Sequence, residues 1–111
     1  RVDAIFVPTD NTVVSALESA VKVCIQSRTP LFCADVDSVE RGAVAAMGFD
    51  YYKHGRQTGA MAQRILAGAD PAETPVEFQE ELSLHINLDS AKKMGVSVPA
   101  AVLERADKTY E

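Results

Sequence analysis

The first third of this sequence confines the chain to a narrow set of folds. Val2–Val7 (VDAIFV) is a short run of β-branched and aromatic side chains, closed by Pro8-Thr9-Asp10-Asn11. Such a run, bounded by turn residues, reads as a buried strand followed by a helix N-cap. From Thr12 to Gln26 the apolar positions Val13, Leu17, Ala20, Val21 and Cys24 form one helical stripe, with Ser15, Glu18, Ser19, Lys22 and Gln26 opposite. Ser27-Arg28-Thr29-Pro30 then links to a second strand at Leu31–Ala34. Strand, helix and strand joined by short links form a βαβ unit, which requires parallel strands in one sheet.

The remainder continues the pattern. Asp35–Arg41 is polar, at most one helical turn, and the middle of Gly42–Phe49 reads as a third buried strand. Tyr51–Ala67 is a helix with a flat face of Gly55, Gly59, Ala62 and Leu66, stopped by Gly68. Glu77–Asn87 is extended, Leu82, Leu84 and Ile86 alternating with Ser83, His85 and Asn87. Asp89 caps a short helix ending at Gly95, and Pro99 opens a last amphipathic helix through Val102, Leu103, Ala106 and Tyr110. The expected architecture is α/β, an open and mostly parallel sheet with helices on both faces, formed by residues 1–111 as a single domain.

Charge narrows the partners. Sixteen Asp and Glu stand against 11 Lys and Arg, a formal charge of −5, and apart from Lys92-Lys93 the basic residues are scattered. A nucleic-acid surface needs clustered cations, so no nucleic-acid partner is expected. No apolar run reaches the ~20 residues that span a bilayer. Cys24 and Cys33 are too few for a structural metal site, and read as small buried apolar residues. No metal or cofactor is expected.

Ligands of open parallel sheets bind beyond the carboxyl ends of the strands. Those ends carry Thr9, Asp10 and Asn11 after the first strand, Asp35, Asp37 and Ser38 after the second, and Gly48, Phe49 and Asp50 after the third. Such an edge suits a small zwitterion, a carboxylate pairing with an α-amino group. The bland alternative is that Asp10 or Asn11 only caps a helix and Asp35 only shapes a turn. His54 and His85 lack a Ser, Cys or acid partner at catalytic spacing, and Tyr51-Tyr52 either line a pocket or pack beneath their helix. One motif points to an enzyme: Leu31–Ala34 followed by Asp35-Val36-Asp37-Ser38-Val39 resembles the Mg²⁺-holding nucleophile loop of haloacid-dehalogenase-type phosphatases. The later acidic pair that such chemistry requires is not found after the third strand. A phosphoacceptor receiver domain would need an acidic doublet where Asp10-Asn11 stands.

A longer ordered set of residues is more specific. Asp3-Ala4-Ile5-Phe6-Val7-Pro8-Thr9-Asp10-Asn11, Pro30-Leu31-Phe32, Gly42-Ala43-Val44-Ala45, Gly48-Phe49-Asp50-Tyr51-Tyr52 and Gly55-Arg56-Gln57-Thr58-Gly59 occur in this order. Pro75-Val76, Ile86-Asn87-Leu88, Ala91-Lys92-Lys93-Met94-Gly95 and Pro99 follow. The set resembles the C-terminal lobe of the tryptophan/tyrosine-type ABC transporter substrate-binding family over nearly the whole chain. Ala34 stands where members often have Ser, removing one possible donor.

The resemblance implies one lobe of a type I periplasmic-binding fold, in which two α/β lobes close on a solute. It implies that Thr9, Asp10, Asn11 and Asp35 contact ligand, with Gly48 and Phe49 in the pocket wall. The expected activity is solute capture without chemistry, an amino acid or similar small molecule passed to an ABC permease outside the cytoplasm, in the periplasm or at the cell surface. The N-terminal lobe would be missing from this chain, and a fragment with its cleft exposed is expected to dimerise. The effector-sensing lobe of a LacI-type repressor shares the same fold and strand-end acids and stays as the alternative.

Overall fold

A computed structural model describes residues 2–79 and 81–111. The opening apolar run forms strand β1 (Ile5–Val7), and Leu31–Cys33 forms β2. Between them the expected single helix is two: α1 (Asn11–Ser15) and α2 (Leu17–Ser27), broken at Ala16 with φ −117° and ψ 25°. The β-branched run Thr12-Val13-Val14 is a poor helix former, and the Ser15 hydroxyl donates to the Thr12 carbonyl at 2.7 Å. Spacing in the sequence continues across this break, but Val14 and not the expected Val13 packs on the core, Val13 being 42% exposed.

Asp35–Arg41 supplies one turn of helix, α3 (Asp37–Glu40), and the small apolar stretch forms β3 (Ala45–Gly48). Next come α4 (Tyr51–Leu66), β4 (Ser83–Asn87), α5 (Leu88–Lys93), α6 (Ala100–Leu103) and β5 (Lys108–Tyr110). The five strands lie in chain order in one sheet. The pairs β1–β2, β2–β3 and β4–β5 are parallel, and β3–β4 is antiparallel. The mostly parallel α/β sheet expected from the sequence is the fold.

Strand alternation sorts the core. Val7, Leu31 and Cys33 point to one face, where they bury with Leu17 and Cys24 of α2 and Ala91 and Met94 at α5. Fully burying an aliphatic side chain is worth roughly 1.5–3 kcal/mol, so this cluster is the main source of stability. The expected helical cover is realised on this face. Phe6 and Met47 point to the other face and are 64% and 54% exposed, leaving an apolar strip open there.

Burial raises the pKa of both the Cys24 and the Cys33 thiols. A group whose folded pKa is raised contributes stability that is present below its unfolded value and is lost as pH rises through the folded one. Stability should therefore be insensitive to these thiols at neutrality and decline in the alkaline range. Both cysteines, free and buried, should react with a thiol reagent in denaturant but not in native buffer. Rapid native labelling of either would contradict this packing.

Three expectations near the C-terminus need correction. The extension expected from Glu77 is regular strand only from Ser83, and Glu80 lies outside the described residues. Its alternation holds only in part: Ile86 is buried and Leu84 half-buried, but Ser83 and Asn87 are buried too and Leu82 is exposed. Asn87 is inside because its amide donates to the Val39 carbonyl at 3.0 Å and its carbonyl oxygen accepts from the Ser90 amide at 2.8 Å. Asn87, not Asp89, is thus the cap of α5; Asp89 forms an ion pair with Lys93 one turn on. The last helix stops at Leu103, and Tyr110 belongs to β5. Asp107 makes that switch: its carboxylate accepts from the Leu84 amide at 2.7 Å and its own amide donates to the Leu84 carbonyl at 2.8 Å, docking the tail on β4.

Helix α4 stands apart from the sheet. None of its residues is buried, and the molecule is elongated, 55 × 32 × 21 Å. Gln57, Met61 and Ile65 are half-buried, while Gly55 and Gly59 have open space around them and Leu66 is 88% exposed. The flat face expected from the sequence therefore exists, but among the described residues nothing comes within 4 Å of a Cβ built at Gly55 or Gly59. The helix ends at Leu66, with Gly68 at φ +108° beyond it.

Candidate functional site

The carboxyl ends of β1 and β2 lie side by side, held by the Ala34 amide donating to the Val7 carbonyl at 2.9 Å. This brings the loop after Val7 against the loop after Cys33. In the first loop Asp10 caps α1, its Oδ1 accepting from the Val13 amide at 2.8 Å. In the second, Asp35 is buried, and both carboxylate oxygens are engaged by one residue: Oδ1 by the Ser38 amide at 2.9 Å and Oδ2 by the Ser38 hydroxyl at 2.8 Å. The turn-shaping reading of Asp35 is thus realised, and the same bonds lock its carboxylate in one orientation.

Both loops open onto a cavity of ≈ 410 Å³. Thr9, Asp10, Asn11 and Asp35 line it, together with Val14, Asp37, Arg41 and Tyr51. Four of the six residues expected to contact ligand are therefore gathered at one place. The other two, Gly48 and Phe49, are not part of the lining. Gly48 lies beneath, where a Cβ would come 2.1 Å from the Ala34 carbonyl oxygen. The Phe49 ring is turned towards His54, centroids 6.4 Å apart. Asp50, next in the chain, caps α4 through the Tyr52 and Lys53 amides at 2.9 and 3.1 Å.

Arg41 and Val14 are the lining residues that sequence reasoning missed. The Nε and Nη2 of Arg41 donate to the two oxygens of Glu18 at 2.8 and 3.0 Å, and Nη2 also donates to the Val14 carbonyl at 2.8 Å. That hydrogen-bonded guanidinium holds the Glu18 carboxyl below the usual carboxylate range, and Glu18 in turn raises the pKa of Arg41. With Arg41 balanced by Glu18, the carboxylates of Asp10, Asp35 and Asp37 leave the cavity with an excess of negative charge. A cavity of this kind can hold a cationic group through charge-assisted hydrogen bonds.

The Ser38 hydroxyl that donates to Asp35 is itself fully buried, and neither histidine lies in the cavity lining. His85 sits within 3.4 Å of the Tyr110 hydroxyl on β4 and β5, and His54 is exposed on α4. Among the described residues, no three His, Cys, Asp or Glu side chains converge to hold a metal ion. A larger depression, ≈ 610 Å³, lies between α4 and the segment around Val76–Gln79. It is bridged by Gln57 to the Phe78 carbonyl at 3.3 Å and by the Arg64–Glu77 ion pair. It is the seam of the α4 arm, and its lining, which runs from Lys53 to Glu81, shares no residue with the strand-end cavity.

Comparison with known proteins decides the relationship. Residues 1–110 match the family described as ABC transporter substrate binding protein. This chain belongs to that family. A crystal structure of a conserved domain protein from Vibrio cholerae matches 96% of this chain at 42% identity with a TM-score of 0.88. The ABC domain of Streptococcus pneumonia in complex with L-Trp matches 98% of it, at 35% identity and the same TM-score of 0.88. A tyrosine-binding protein of Clostridioides difficile is 34% identical over 94 residues, 85% of this chain. The chain spans 36% and 37% of the two crystallised relatives and 27% of the C. difficile protein.

Proposed function

We propose that this chain is the ligand-contacting part of the second lobe of an extracytoplasmic solute-binding protein, which captures an amino acid and delivers it to an ABC permease without chemistry. The observation that carries the reading is Asp35, a carboxylate fixed by Ser38 at an acidic cavity where two parallel strands end. A carboxylate already oriented before a ligand arrives loses little freedom when it pairs with an ammonium group. Thr9 and Asn11 add hydrogen-bonding groups from the facing loop, and Tyr51 adds an aromatic surface. The ligands named for the relatives, tryptophan and tyrosine, share the α-ammonium group that such a site would hold.

The second lobe reading also draws support from the unfilled surfaces. The bare face of α4 and the apolar strip with Phe6 and Met47 are the surfaces that another lobe would cover in a longer polypeptide. The test is a thermal-shift screen of the full-length protein against amino acids, nucleosides, sugars and phosphate esters. A true solute raises the melting temperature with its concentration. The expected result is a shift with aromatic amino acids; a shift with a sugar or nucleoside alone would overturn the reading.

A further inference from the structure

We infer that Arg41 is a positioning residue for this cavity, a clamp that holds the Thr9–Asn11 loop at the distance from Asp35 that a ligand requires. The inference rests on the solute-binding reading above and goes beyond it by naming how the site is kept assembled. Helix α1, which follows the first loop, has five residues and buries none of them. A helix this short has little stability of its own and depends on tertiary contacts. Its continuation into α2 is broken at Ala16, and only Val14, half-buried, packs it against the core.

Arg41 adds a polar tie to the packing of Val14 against the core. It stands at the C-terminal end of α3, the helix whose first turn carries the Asp35–Ser38 hydrogen bonds. From there one planar guanidinium reaches both sides of the Ala16 break, grasping Val14 of α1 by its carbonyl and Glu18 of α2 by both carboxylate oxygens. The contacts bridge 23 and 27 residues of sequence and join the two loops that line the cavity. Lys cannot reproduce this geometry, because an ammonium is a point charge without the rigid fork. Glu18 has a second effect: it balances the guanidinium, which would otherwise offset the cavity carboxylates.

The test compares wild type with Arg41→Gln, Arg41→Lys, Glu18→Gln and the Arg41→Gln/Glu18→Gln pair in the full-length protein. Amide hydrogen exchange is followed at Val13, Val14 and Ala16, whose amides are bonded within α1 and its cap. Exchange there should rise about tenfold in Arg41→Gln and by less in Arg41→Lys, with the Cys33 and Ala46 amides unchanged. The double variant should be no worse than Arg41→Gln. Affinity for L-tryptophan and L-tyrosine should fall in the same order, with little change in melting temperature. Unchanged exchange at Val13 and Val14 in Arg41→Gln would overturn the clamp, as would weakened binding rescued fully by Lys. If the wild type takes up neither amino acid, the solute reading falls, and the exchange measurement alone decides whether Arg41 holds the loop.

Discussion

Asp35→Asn in the full-length protein is expected to weaken amino-acid binding by about 2–5 kcal/mol, the cost of removing one partner from a buried charge pair. At about 1.4 kcal/mol per tenfold, that is a loss of roughly 30-fold to several thousand-fold in Kd. Asn keeps the size of Asp and retains one oxygen to accept from the Ser38 amide at the position now 2.9 Å away. The fold should therefore survive while the charge is lost. The comparison with Asp10→Asn separates the two strand-end acids. Asp10 is exposed and caps α1, so its variant should chiefly loosen that helix, by about 0.5–2 kcal/mol if the cap is lost outright. Calorimetric titration of both variants measures the difference. Equal affinities in wild type and Asp35→Asn would remove Asp35 from the site.

The largest stability effect belongs to Gly48→Ala. Here the backbones of β2 and β3 meet so closely that an added Cβ would lie 2.1 Å from the Ala34 carbonyl oxygen and 3.1 Å from its carbon. The obstacle is backbone, which cannot rotate aside as a side chain does, so one strand must shift. That shift would strain the Ala34–Val7 bond between the strand ends and the pairing of Gly48 with Ser83. Overpacking costs typically 1–3 kcal/mol, and a backbone clash this short belongs at or above the upper end, about 3 kcal/mol or more. A total stability of order 5–15 kcal/mol makes this a large fraction. Denaturant unfolding should show a lower midpoint with the slope preserved. An unmoved midpoint would mean that β2 and β3 do not approach as described.

Much of this structure was legible in the residues because burial has a period. The first two strands, the third at Ala45–Gly48 and helix α4 announce themselves through apolar runs, helical stripes and terminal glycines. The strand-end loops follow from the βαβ unit, which by itself puts Thr9, Asp10, Asn11 and Asp35 at one edge. What escaped depends on partners distant in sequence. The break at Ala16 shifts the packed position from Val13, which is exposed, to Val14, a shift that periodicity does not show. Strand β5 is three residues long, and its spacing from Leu103 fits a helix as well as a strand; only Asp107 on the Leu84 backbone decides between them. Arg41 carries no motif, since its meaning comes from Glu18 and Val14 more than 20 residues away. Gly48 and Phe49 show the converse: adjacency to a strand end does not bring a residue into the cavity when its role is close backbone packing or a contact with His54.

The central claim is that the acidic strand-end cavity takes the ammonium group of an amino acid. It is tested most directly by titrating the full-length protein with L-tryptophan and with N-acetyl-L-tryptophan in the calorimeter. The two share ring and carboxylate and differ in the charge and hydrogen-bonding capacity of the α-nitrogen. Saturable binding of L-tryptophan that vanishes on acetylation is the predicted result. Equal binding of both forms, or binding of the acetylated form alone, would contradict it.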